Sequence, residues 1–281
     1  MSNQLTAAAI ASFDAQVKHA YAGSSMLRST VRLKTGVVGS THRFPKMGKG
    51  TATQRIPQTD VIPMNVAHSN RTATLSDWNA PEYTDIFNQA EVNFSEQGEL
   101  AQVIAGAIGR REDQLILDAL DAASTTLTVS ENIGGANTNL NTAKVRRAKK
   151  LLVQQGVKFQ RPNQTFVINA AALESLLGDS DANTVDKNAI KMLVDGEVTY
   201  WVGFEFKVME DRTEGGLPIT GSVRTCYAYD KQAIGLAIGI DFRTEVNYIP
   251  HKTSWLANGI FKAGAVDIDA LGIVEVSTFE S

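Results

Sequence analysis

Cysteine is almost absent: Cys226 stands alone among 281 residues. A lone thiol excludes an internal disulfide framework and suits a reducing compartment. Long apolar runs are missing too, and none approaches the ~20 residues that span a bilayer. The N-terminal stretch MSNQLTAAAIASFDAQVKHAY lacks a positive region followed by an apolar core, so no secretory signal and no membrane partner are expected. Histidine is sparse. His19, His42, His68 and His251 are scattered, and none shares a helical face with another. The motifs HExxH and GxSxG do not occur. The stretch MGKGT fails as a phosphate loop, because Arg43 stands where the first glycine belongs and Gly50 follows Lys49 in place of Ser or Thr. DSDANTVDKNAI (179–190) offers Asp179, Asp181 and Asn183 as calcium ligands, but has Thr184 at the glycine position and Ile190 at the final Glu position. No catalytic residue, cofactor or metal ligand is therefore expected, and no enzyme.

What is present is a sharp charge asymmetry under a net charge of only −3. Residues 1 to 60 carry eight basic and two acidic side chains; residues 61 to 120 carry three basic and nine acidic ones. The two segments thus stand at +6 and −6. A basic arm binds either an external polyanion or the acidic segment of another copy. The near cancellation favours the second, since complementary charge sets register and partner. The expected contacts are Arg43, Lys46, Lys49 and Arg55 on one side, with Glu91, Glu96, Glu99, Glu112 and Asp113 on the other.

Periodicity sorts the rest into elements. Residues 5 to 22 suit a short, thinly apolar helix, read as a tethered arm. Residues 31 to 83 hold two strand-like runs, VRLKTGVVG and NRTATLSDW, around a polar stretch with Pro45, Pro57 and Pro63. A two-stranded excursion of this length projects up to roughly 80 Å. An isolated hairpin is marginal in water, so it should lie on another subunit. Residues 99 to 123 form the clearest helix, with Leu100, Val103, Ile104, Ala107, Ile108, Leu115, Ile116, Ala119 and Leu120 on its stripe. Gly106 and Gly109 cost that helix about 1 kcal/mol each relative to Ala, which suggests another backbone packed close by. A second helix is expected over 141–155, stopped by Gly156, then a strand at 165–169 and a short helix at 170–178. Strands follow at VTYWVGFEFKVME, RTCYAYD, AIGLAI, FRTEVNYIP and AVDIDALGIVEVST. The mixture lacks a clean βαβ repeat, which points to an α+β class.

Three local features invite function. The helix sequence KVRRAKK gathers Lys144, Arg146, Arg147, Lys149 and Lys150. A polyanion contact is the functional reading, and a solvated helix face the plainer one. Asp267 and Asp269 share a strand face, which suits a metal or simply water. Cys226 alternates with Tyr227 and Tyr229, the pattern of a buried structural thiol.

Three longer stretches carry a resemblance. AIGRREDQLILDAL (107–120) has a helix with an acidic pair after Gly-Arg-Arg. DGEVTYWVGFEFKVMED (195–211) has a helix ending at Gly, a strand, then an aromatic-rich strand opening on Gly-Phe. YAYDKQAIGLAIGIDFRTEVNYIPHKTSWLANGIFKAGAVDIDALGIVEV (227–276) closes the chain. In order and spacing these resemble one group of tailed-bacteriophage major capsid proteins, over about residues 25 to 280. The resemblance implies the capsid fold of the Hong Kong phage type. Residues 1–30 would be an N-terminal arm and 31–83 the extended β-hairpin loop. Residues 84–129 would be a peripheral domain with a spine helix at 99–123, 130–223 the axial domain, and 224–281 the closing strands of the peripheral domain. It implies self-association into hexamers and pentamers, and a virion shell assembled in a bacterial cytoplasm around double-stranded DNA. Portal and scaffolding or decoration proteins are implied partners. An encapsulin-type compartment shell and a nucleic-acid-binding protein with a basic arm remain the alternatives. The arm reading is weakened by Phe44 being the lone aromatic available for stacking.

Overall fold

A computed structural model describes residues 25–86, 96–125, 127–160, 162–179 and 200–280, with the side chains of 96–98 left out. The expected arm helix at 5–22 and most of the calcium-like loop lie outside these residues, as does KNAIKMLVDG (187–196), whose sequence reads as a further helical piece.

The described residues build three α-helices and three sheets. Helix α1 (Glu96–Asp121) is the long one. It turns Ile104, Ile108, Ile116, Leu117 and Leu120 inward, none more than 5% exposed. Burying each such side chain is worth roughly 1.5–3 kcal/mol. Val103, read as part of the stripe, is half exposed. Helix α2 (Thr142–Gln154) starts where the Asn141 side chain accepts the Lys144 N–H at 2.9 Å. It ends at Gly156, whose φ of +88° turns the chain away. Helix α3 (Ala170–Gly178) is capped the same way by Asn169.

The first sheet has the order β1 (Arg32–Lys34), β11 (Ile234–Ile249), β12 (Ser254–Asp267), β4 (Ser76–Asp85). β11 and β12 form a long antiparallel hairpin, irregular between Ile238 and Arg243. Helix α1 lies across it. Gly259 of β12 makes that approach feasible, because a Cβ there would collide with Ile104. The sequence reading saw no strand at 254–264. Asn258-Gly259 looks like a turn, yet this glycine serves close packing inside a strand.

The second sheet runs β5 (Thr128–Val129), β13 (Ile273–Phe279), β10 (Val223–Asp230), β6 (Gln164–Asn169), β8 (Phe204–Met209), β7 (Tyr200–Trp201), with β9 (Ile219–Thr220) beside β10. β6 is central and buried at every position, which its run Thr-Phe-Val-Ile anticipates. The closing strands therefore do not act together. β10 and β13 belong to this sheet, while β11 and β12 belong to the first.

One core joins the two sheets. Tyr227 and Tyr229 of β10 sit at its centre, fully buried. The Tyr227 hydroxyl donates to Asp121 at the end of α1 at 2.9 Å. The Tyr229 hydroxyl meets Thr30 Oγ1 at 2.6 Å. Cys226 is buried on the opposite face of β10, its sulfur 3.7 Å from Thr278 Oγ1, and burial pushes its thiol up to about 11.

Candidate assembly surfaces

The third sheet is the root of the extended loop. β2 (Thr41–Met47) pairs antiparallel with β3 (His68–Thr74), and Gly48 N–H donates to Ala67 O just beyond. Phe44 is 1% exposed and plugs a small separate core of Ala73, Leu75, Ala237 and Ile268. A Cβ on Gly235 would stand 2.7 Å from its ring, so glycine is what lets the ring seat. Polar ties flank the plug. Lys46 pairs with Asp269 at 2.7 Å, Arg71 with Asp267 at 3.2 Å, and Lys49 donates to Gln155 O at 3.0 Å. Past this root the chain is open. Ile56, Val61, Ile62 and Met64 are 59–87% exposed. Arg43 and Arg55 are exposed, whereas Lys46 and Lys49 reach carboxylate and carbonyl groups of their own subunit.

The expected acidic partners separate by burial. Glu91 and the side chain of Glu96 lie outside the described residues, and Glu99 is half-buried near the head of α1. Glu112 and Asp113 are 4% and 0% exposed. Asp113 accepts the backbone N–H of Met26 and Leu27 and the Ser25 hydroxyl, and pairs with Arg212 at 3.0 Å. Burial pushes its carboxyl up, and these donors pull it back. Glu112 is pushed up to about 7, chiefly by burial, against the pull of Arg28 at 3.6 Å. Both residues thus clamp the chain's own entry onto α1 and are enclosed within the subunit. This corrects the expectation that they receive a neighbour's arm. Gly109 fits the same clamp: a Cβ there would lie 3.0 Å from Ser25 N. At Gly106 the nearest atom is on Arg110 of the same helix, so the expected second backbone is met at Gly109 alone.

The basic helix divides likewise. Arg146, Arg147 and Lys150 are exposed, and Lys149 is half-buried with its ammonium 5.1 Å from the Phe159 ring centre. Lys144 is fully buried. Its ammonium donates to Thr138 O and to Ser277 O at 2.9 Å, and burial lowers it to about 8. It ties α2 to β13 and cannot face DNA, a correction to the five-residue patch. The Asp267–Asp269 pair is likewise occupied by Arg71 and Lys46.

The sequence matches the family described as phage capsid protein over residues 5–280. The chain belongs to the phage capsid protein family. Its fold is that of solved phage shells. The capsid of cyanophage P-SCSP1u aligns with a TM-score of 0.74 at 12% identity, covering 100% of this chain and 97% of that one. The acid-stable capsid of Helicobacter pylori bacteriophage KHP30 gives 0.76 at 11%, covering 95% of each. The capsid of Ralstonia phage GP4 gives 0.73 at 11%, covering 97% and 96%. No curated protein matches by sequence. The chain is a major capsid subunit with the Hong Kong phage type of fold, and self-association into a shell is its work. Membership in a structural family implies a non-enzymatic role. In this capsid subunit the 107–120 motif falls wholly within α1. Sequence reading missed the Phe44 plug and the Asp113 clamp. The alternation Thr-His-Arg-Phe around Phe44 was the available signal for the first. Nothing local marks the second, because an acidic pair on a helix reads as surface.

Proposed function

We propose that this capsid subunit closes into an icosahedral shell around the double-stranded DNA genome of a tailed phage. The shell forms as hexamers and pentamers in the bacterial host cytoplasm, with portal and scaffolding or decoration proteins as further partners. One observation carries the reading: residues 49–67 hold out Ile56, Val61, Ile62 and Met64, which are 59–87% exposed among the described residues. Exposed apolar clusters of this kind mark interaction sites. In this reading the first sheet with α1 is the peripheral unit, and the second sheet with α2 and α3 is the axial one. The extension clasps a neighbour, using Arg43 and Arg55 toward the acidic stretch 91–99. Arg146, Arg147, Lys149 and Lys150 face packaged DNA, a contact that needs charge but no base readout.

Electron microscopy of the expressed chain, and of infected cells, tests this. Closed shells with dense DNA in the infected cell are expected. Soluble monomers that bind DNA would overturn it, and shells filled with protein cargo would point to a compartment instead. Reversing the charges of Arg146, Arg147 and Lys150 should impair DNA retention and leave empty-shell assembly intact; equal loss of both would count against the DNA-facing assignment.

A further inference from the structure

β11 is paired along one side and nearly bare on the other. β12 accompanies it from Ile234 to Ile249. β1 covers only Gly235 to Ala237, and Val37 N–H adds one bond to Ile238 O at 3.0 Å. Residues 239–249 have no partner on that second edge among the described residues. At ~3.3 Å per residue the bare edge is roughly 35 Å long.

Native sheets blunt such edges with proline, charge or short strands. The opposite edge of this same sheet follows the rule, since β4 carries Pro81 at its middle together with Asp77, Glu82 and Asp85. β11 does not. Phe242, Val246 and Tyr248 are 37%, 41% and 43% exposed. Val246 and Tyr248 oppose Ala257 and Trp255, on the side where α1 packs over Gly259. Phe242 lies there too, its ring 3.5 Å from where a Gly259 Cβ would be. The edge is therefore apolar on one face and offers unpaired backbone along its length.

The chain also carries an unpaired segment that fits it. Residues 50–56, Gly-Thr-Ala-Thr-Gln-Arg-Ile, are all exposed and contain no proline. Gly50 to Arg55 make no backbone hydrogen bond among the described residues. The returning limb lies close, Met64 Sδ being 3.0 Å from a Gly50 Cβ, yet no ladder joins the two limbs. In a single subunit the free segment and the free edge do not meet.

We infer that residues 50–56 of one copy add as a strand to the β11 edge, residues 239–249, of a second copy. The inference rests on reading the extension as a clasp and names the place it grips. Main-chain hydrogen bonds supply the binding and alternate side chains supply the fit. Ala52 and Ile56 fall on one face of the added strand, which suits Phe242 and Val246. Arg55 falls on the other, the face of Asp241 and Glu245, which within the single subunit pair with Arg28 and Arg243.

Hydrogen exchange on closed shells, compared with subunits released from them, tests this with the unaltered chain. Every second amide over 239–249 should slow on assembly by at least about tenfold, together with those of 50–56. If 50–56 slows and 239–249 does not, the extension grips elsewhere; the edge assignment falls and the clasp stands. Slowing of 239–249 alone means another occupant and overturns the inference. If neither slows, the clasp falls with it. Equal protection in released subunits removes the second copy from the account.

Discussion

Asp113 and Arg212 meet at 3.0 Å with both side chains enclosed, 0% and 9% exposed. One stands on α1 and the other follows β8, so the pair ties the two sheets of the capsid subunit together. Removing one partner of a buried pair leaves an uncompensated charge and costs about 3–5 kcal/mol. Asp113→Ala should lower the urea midpoint of released subunits accordingly. It should also free Ser25 to Leu27, seen as faster exchange at Met26 and Leu27. A change within about 0.5 kcal/mol would mean that the clamp is dispensable.

Glu112 gives the fold a dependence on acidity. Its carboxyl stands at about 7 against an ordinary 4.5, mainly through burial, with Asp113 and Asp241 adding to that push against Arg28's opposing pull. Between those values the folded chain keeps a proton that the unfolded chain has released. Stability from this group is full below pH 4.5 and is lost as pH rises through 7. Glu112→Gln should flatten that slope, gaining on the order of 2 kcal/mol over the wild type between pH 5 and 8. Parallel pH–stability curves for the two proteins would refute the assignment.

Lys144 works in the opposite sense. Burial lowers its ammonium to about 8 from 10.5. Between these values the unfolded chain binds the proton and the folded chain does not, so stability from this group rises with pH. The difference between the wild type and Lys144→Met should therefore move in favour of the wild type by on the order of 2 kcal/mol from pH 8 to 10.5. Cys226 acts on Lys144 through its charge, so both proteins are compared in a Cys226→Ala background.

Phe44 fixes the root of the extension. Phe44→Ala should cost about 3–5 kcal/mol locally. Gly235→Ala, which leaves Phe44 itself unsubstituted, should act alike, because its Cβ would stand 2.7 Å from the ring and displace it. In both variants exchange across Thr41–Met47 and His68–Thr74 should quicken while α1 and β6 keep their protection. Global loss of protection would mean that the small core is not separate.

The helices were legible because their signals are local. Ile104, Ile108, Ile116 and Leu120 repeat on one stripe, and Asn141 and Gly156 mark a start and a stop. Strand partners were not. Val223–Asp230 and Ile234–Ile249 are near neighbours in sequence and alternate alike, yet they enter different sheets. Alternation says that a strand has two faces and not which strand lies beside it. The irregular register between Ile238 and Arg243 also breaks the period, so β11 reads as two strands. Among the candidate site residues, exposure was the unreadable quantity. Lys144 and Arg146 stand in one basic run, and only the packing of α2 on β13 buries the first and frees the second.

The anchored root of the extension has a geometric consequence. Phe44 with the ties at Lys46, Lys49 and Arg71 fixes the direction in which the loop leaves before any neighbour arrives. Under the proposed clasp on a neighbour, that exit angle would set how sharply successive tiles of a surface built from one repeated unit bend away from one another. The radius of the particle would then be written partly into a single chain. The Lys46 and Arg71 ion pairs are partly open to water and weaken with salt. High ionic strength during assembly should accordingly broaden the distribution of particle diameters, and Asp269→Asn should do the same at low salt.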